Sequence, residues 1–183
     1  GQHSIVVFDQ ENRKVASFGS RGSEPGKFNY PLGIAVGPTG NLFVLDTLNA
    51  RVQVLSPTGE FIRQFGERGT ARGSFALPKG IAVSDQGHVY VTDSLGHKVV
   101  VFDLEGNFLL AFGGLDQRSD AGLVPGGFYS PIGIAVDPAG GVFVADTMNR
   151  IVHKFQYLTP EYLEANPILP GQTYFPVLSE QSQ

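Results

Sequence analysis

No cysteine and no tryptophan occur in these 183 residues, and methionine occurs once. Without cysteine the chain forms no disulfide, holds no metal through thiolate and carries no thiol nucleophile. Charge is also thin: Asp, Glu, Lys and Arg make up 16% of the chain, below the usual quarter. The formal net charge of −4 gives a polyanion such as nucleic acid no overall attraction. No apolar run reaches the roughly 18 residues that a membrane-crossing helix requires. What is plentiful is glycine at 24, phenylalanine at 14 and proline at 12. That composition predicts many turns around a core of phenylalanine and β-branched residues.

The chain repeats itself. FNYPLGIAVGPTGNLFVLDTLNARVQVLSPTGEFIRQFG opens at Phe28, and FALPKGIAVSDQGHVYVTDSLGHKVVVFDLEGNFLLAFG opens 47 residues later at Phe75. A third copy, FYSPIGIAVDPAGGVFVADTMNRIVHKFQ, opens at Phe128 after a spacing of 53 residues. The opening HSIVVFDQENRKVASFG matches only the back half of a copy. Each copy reads as four short strands joined by Gly-bearing turns, hence an antiparallel meander. The first strand, GIAV, is apolar throughout, as expected of a strand buried on both faces. No long amphipathic helix fits within the repeats.

One such sheet cannot cover both of its own faces. Radial stacking covers them, with small residues at the crowded axis and the bulky Phe18, Phe65 and Phe112 filling the splayed rim. The predicted fold is all-β: a β-propeller of four-stranded antiparallel blades. About three blades are present, which fits part of a six-bladed ring. Residues 1–156 form the blades, the first of them incomplete, and residues 157–183 form a tail. Gly1 falls inside a predicted hairpin. The expectation is therefore a longer propeller, its ring closed by blades not in this sequence or by another chain.

The pieces VLDTLNARVQVL and VADTMNRIVHKF, each following GIAV and a Gly turn, resemble the NHL repeat. The name-giving Asn-His-Leu triplet is degenerate: Asn stands at 49 and 149, whereas the second copy has Gly96 then His97. The resemblance implies a propeller, usually six-bladed. The ending FVADTMNRIVHKFQYL further resembles bacterial NHL proteins that accompany multihaem c-type cytochromes outside the cytoplasm. That likeness implies an extracytoplasmic (periplasmic or cell-surface) protein in an electron-transfer assembly. The chain has no CxxCH and attaches no c-type haem itself. Some NHL proteins bind RNA on a basic face; the acidic balance here argues against nucleic acid.

Asp46, Asp93 and Asp146 recur at the end of the second strand. Recurrence in every copy favours a carboxylate that caps its own turn over a paired-carboxylate active site. Asn49 and Asn149 are expected to brace the same turn. Arg51 and Lys98 open the third strand and read as solvated, or as partners of the aspartates across blades. His3, His88, His97 and His153 show no metal-ligand spacing. No catalytic group, metal site or cofactor site is expected.

Recognition is expected on the loops joining fourth to first strands, where the candidate contacts are Arg21, Lys27, Arg68, Arg72 and Arg118. In the tail, Thr159-Pro160 predicts a short helix to about Ala165, followed by an extended Pro-rich segment. Its Tyr162, Tyr174 and Phe175 are further candidate contacts. The expected function is a non-catalytic protein-interaction scaffold. The alternative is a propeller hydrolase or lyase with a metal-dependent site at the channel mouth or in absent blades.

Overall fold

The computed structural model describes residues 2–116, 126–158 and 160–167. Thirteen strands form four separate sheets, each a meander in chain order. Blade I contributes β1 (Ile5–Phe8) and β2 (Lys14–Phe18). Blade II holds β3 (Pro31–Val36), β4 (Leu42–Asp46), β5 (Arg51–Leu55) and β6 (Phe61–Phe65). Blade III holds β7 (Pro78–Val83), β8 (His88–Asp93), β9 (Lys98–Asp103) and β10 (Phe108–Gly113). Blade IV holds β11 (Pro131–Val136), β12 (Gly141–Asp146) and β13 (Ile151–Gln156). The strand count per sheet is the one read from the repeats.

The turns form as their glycines require. In the turns from first to second strand, Gly40, Gly87 and Gly140 take φ of +82°, +86° and +84°. Each returns its N–H to the residue three places earlier. Such left-handed geometry strains residues that carry a Cβ.

The inner strands start two residues earlier than GIAV, at a proline, and the β3–β4 and β7–β8 ladders slip at that point. At β7 the slip has a visible cause. The Gly80 N–H donates to Thr92 Oγ1 at 2.8 Å, and that hydroxyl donates to the Ile132 carbonyl of β11 at 2.7 Å. A Cβ on Gly80 would overlap that carbonyl, so the small residue permits close approach of two blades.

β7 lies between β3 and β11, so the inner strands follow one another around an axis. Both faces of a blade are used. Phe43, Leu45, Val52 and Val54 of blade II meet Ile81, Val89, Val91 and Val100 of blade III. Tyr90, Val99 and Val101 of blade III meet Phe128, Val142 and Val144 of blade IV. Ile5 of blade I packs on Phe28, Val44 and Leu55 of blade II. Each fully buried side chain of this kind is worth about 1.5–3 kcal/mol, so blade stacking dominates stability.

The rim phenylalanines behave as expected. Phe18 lies against Gly59 of the next blade and Phe65 against Gly106. Phe112 meets Phe155 with ring centroids 4.8 Å apart. The far flank of blade IV is built differently. Ala145 and Lys154 stand there where blade II has Leu45 and Val54, and Val152 is 66% exposed. The Lys154 ammonium lies 5.4 Å from the centre of the Phe143 ring.

After β13 the chain is stitched to the nearest turn of blade IV. The Tyr157 N–H donates to the Gly140 carbonyl at 2.9 Å, and Gln156 Nε2 to the Ala139 carbonyl at 2.8 Å. The Tyr157 ring then meets His88 edge-on, at 4.7 Å between centroids. Half-buried there, with its Nδ1 shut from solvent and given no protein partner, His88 has its pKa lowered by desolvation. Burial, then the Tyr157 phenol, raises the Tyr90 pKa beside it. The expected short helix is α1 (Pro160–Ala165). Its Thr159 cap and the Pro-rich extended segment lie outside the described residues.

Two outcomes follow from this packing. Gly106→Ala combines a strained φ of +92° with overlap on the Phe65 ring. It is expected to lower the thermal midpoint clearly more than Gly26→Ala, whose Cβ meets open space. His88 favours its neutral form in the fold, so its contribution is complete above the ordinary imidazole value of 6.5. The contribution falls away as pH drops from there through the lowered folded value. Denaturant midpoints of the protein and of His88→Phe, compared between about pH 8 and pH 5, are expected to diverge on the acid side, with the wild type losing more.

Candidate interaction face

In a four-stranded meander, the loop into the first strand and the turn from second to third strand share one end of the sheet. Hydrogen bonds tie these segments together in blades II, III and IV. Leu48, Ser94 and Met148 in the turns donate N–H groups to Asn29, Leu77 and Tyr129 in the loops. This loop-and-turn face is the candidate site.

The recurrent aspartates hold it. Asp46, Asp93 and Asp146 are all 0% exposed. Asp46 accepts the Asn29 N–H at 2.6 Å, Asn49 Nδ2 at 2.8 Å and Arg51 Nε at 2.8 Å. Asp93 accepts the Ala76 and Leu77 N–H groups at 2.8 and 2.7 Å. Asp146 accepts the Tyr129 N–H at 2.8 Å, Asn149 Nδ2 at 2.8 Å and His153 Nε2 at 3.2 Å. The caps thus differ from the local ones expected. Only Asp93 also takes an N–H of its own turn, from Gly96 at 3.3 Å. The main contacts reach back 16 or 17 residues to the loop leading into the first strand. That loop has N–H groups with no ladder partner, whereas the turn's N–H groups find backbone carbonyls, in the loop or in the turn itself.

The flanking polar residues follow the same plan. Asn49 and Asn149 also donate to the Gly22 and Asp116 carbonyls, clamping turn to loop instead of bracing the turn alone. Arg51 is 6% exposed and pairs with Asp46 of its own blade, so it is neither solvated nor paired across blades. Its Nη2 also donates to the Lys27 carbonyl at 2.9 Å. Lys98 reaches the Ser74 carbonyl at 3.2 Å.

The histidines are engaged as well. His3 and His97 occupy the same repeat position, both with φ near +50°. Their Nδ1 atoms accept N–H groups from Tyr30 and Ser130 of the following blade, at 2.9 and 3.2 Å. The histidine of the degenerate triplet thus clasps one blade to the next. Among the described residues no three His, Asp or Glu converge in a metal-holding group.

Of the expected contact residues, Arg21, Lys27, Arg68 and Arg72 do share this face. Arg21 and Arg72 are exposed, and their guanidinium groups make no hydrogen bond. Lys27 lies 3.5 Å from Glu24, whose pKa is lowered by its own backbone N–H and then by that ammonium. Arg68 is partly structural: it donates to the Ala76 and Leu48 carbonyls at 3.1 and 3.0 Å, bridging blades II and III. Tyr162 lies in α1, which follows β13. Arg118, Tyr174 and Phe175 lie outside the described residues.

Sequence reading missed the apolar tips. Leu48, Leu95 and Met148 stand at one repeat position, in the turns, and are 46%, 63% and 56% exposed. Their shared register was available in the sequence, but a leucine beside a strand reads as core until its turn is built.

Comparison with known proteins agrees with this architecture. A family profile described as a 6-bladed beta-propeller matches residues 34–112, and one described as NHL repeat matches residues 128–155. Hydrazine synthase of Kuenenia stuttgartiensis is similar with a TM-score of 0.56 at 19% identity, over 84% of this chain and 40% of that one. Selenomethionine-substituted virginiamycin B lyase from Staphylococcus aureus gives 0.53 at 17% identity, over 86% and 50%. The WD40 repeats of RRP9 give 0.52 at 16% identity, over 85% and 45%. At such identities the likeness is one of fold. The chain spans half or less of the length of these three structures. Four meandering sheets in radial order and two profile matches agree: this chain is built of β-propeller blades of the NHL-repeat type.

Proposed function

We propose that the chain is a non-catalytic scaffold that meets protein partners through its loop-and-turn face. One observation carries this reading. The aspartates that recur at the turns, with His3, His97 and His153, are committed to hydrogen bonds inside the fold, and His88 packs against the Tyr90 and Tyr157 rings. Among the described residues, the exposed side chains on the face are arginines, aliphatic tips, Tyr30 and the separate carboxylates Glu24 and Glu67, and these acids converge on no metal-holding group. The finer reading, a bacterial extracytoplasmic subunit or accessory of an electron-transfer assembly, is supported by the FVADTMNRIVHKFQYL resemblance.

Chemical cross-linking of the native complex, read by mass spectrometry, is expected to join a partner to Lys27 and its neighbours on this face. Cross-links confined to the opposite face, or stoichiometric zinc or calcium in the purified protein, would overturn the scaffold in favour of a metal-dependent hydrolase or lyase. Asp46→Ala strands the buried Arg51 and is expected to destabilise the fold by about 3–5 kcal/mol in denaturant unfolding. A catalytic carboxylate would instead leave stability unchanged or improved.

A further inference from the structure

Charge is sorted between the two ends of the blades. Among the described residues of the loop-and-turn face the exposed ions are Arg21, Arg68, Arg72 and Arg150 against Glu24 and Glu67, with Lys27 and Asp116 half-buried. The three aspartates of that face are buried and occupied by N–H groups or a buried guanidinium. The opposite end carries Glu11, Glu60, Asp85 and Glu105 exposed, against the exposed Lys14 and an Arg13 already paired to Asp9 and Glu11. The net charge of −4 thus hides a cationic face.

That same face presents Leu48, Leu95 and Met148, one per blade, at positions where turns ordinarily carry small polar residues. Evenly repeated exposed aliphatics among cations mark a contact surface. We infer that the loop-and-turn face binds an acidic protein segment that also carries apolar side chains. The inference rests on the scaffold reading and names its partner's chemistry. Carboxylates of the segment meet Arg21, Arg72 and Arg150, whose guanidinium groups make no hydrogen bond within the fold. Its apolar side chains cover the tips, which makes contact favourable beyond the screened Coulomb term. Nucleic acid fits less well, because the tips that recur from blade to blade are aliphatic and give bases no repeated stacking platform, Tyr30 being a lone exposed ring among them.

The test measures fluorescence anisotropy of short labelled probes against the full-length protein. The probes are a peptide alternating Glu or Asp with Leu or Phe, the same peptide with Lys for the acids, the same with Ser for the apolar residues, and an oligouridylate. The acidic–apolar peptide is expected to bind saturably and to weaken with salt, the other three much less. The triple variant R21E/R72E/R150D is expected to lose about tenfold or more in affinity, and L48S/L95S/M148S likewise, both with unchanged circular dichroism and melting. Absence of saturable binding, equal binding by either variant, or tighter binding of the oligouridylate overturns the inference. Self-stacking of the two unlike faces, seen as mass growth in sedimentation at low salt and lost in R21E/R72E/R150D, would also overturn it. If the native complex cross-links to this face while the acidic peptide does not bind, the scaffold stands and the acidic partner falls.

Discussion

A buried carboxylate at the end of each second strand holds the blade to the loop that feeds it. A β-meander satisfies its own strands but leaves the approach to its first strand without a ladder. Asp46, Asp93 and Asp146 supply acceptors at that point, fully sheltered from water. In low dielectric such a charge is tolerable only with several donors around it. The donors differ by blade: Asn49, Arg51 and Gln53 join in blade II, Asn149 and His153 in blade IV, and Asp93 of blade III is held by the backbone N–H groups of Ala76, Leu77 and Gly96. The rigidity of the loop face descends from these contacts, since the loops are pinned at their base while their outward side chains stay free.

Much of this was legible before the structure. A strand must alternate and a turn needs its glycine, so the repeats disclosed the sheets, their order and the rim role of Phe18, Phe65 and Phe112. The aspartates were recognised as structural because they recur. Their partners were not recognised, because a contact that spans 17 residues depends on how the loop curls back. Arg51 looked solvated for the same reason. Charge beside a strand reads as surface until its counter-ion is seen beneath it.

The candidate face shows the same division. Arg21, Arg68 and Arg72 are legible in the sequence because topology dictates which loops gather at one end of the blades. Arg68 then proved to be shared between support and surface, holding two carbonyls across a blade boundary. The aliphatic tips escaped notice since hydropathy alone cannot tell an outward leucine from an inward one.

The outer flank of blade IV constrains what can sit beside it. Lys154 shields the Phe143 ring, and Ala145 leaves a shallower surface than a leucine would. Any sheet that settles on this side must give that ammonium either a route to bulk water or a carboxylate of its own. A purely greasy neighbour is thereby refused, and only a companion with a matching acid, or one held slightly away, can be accommodated.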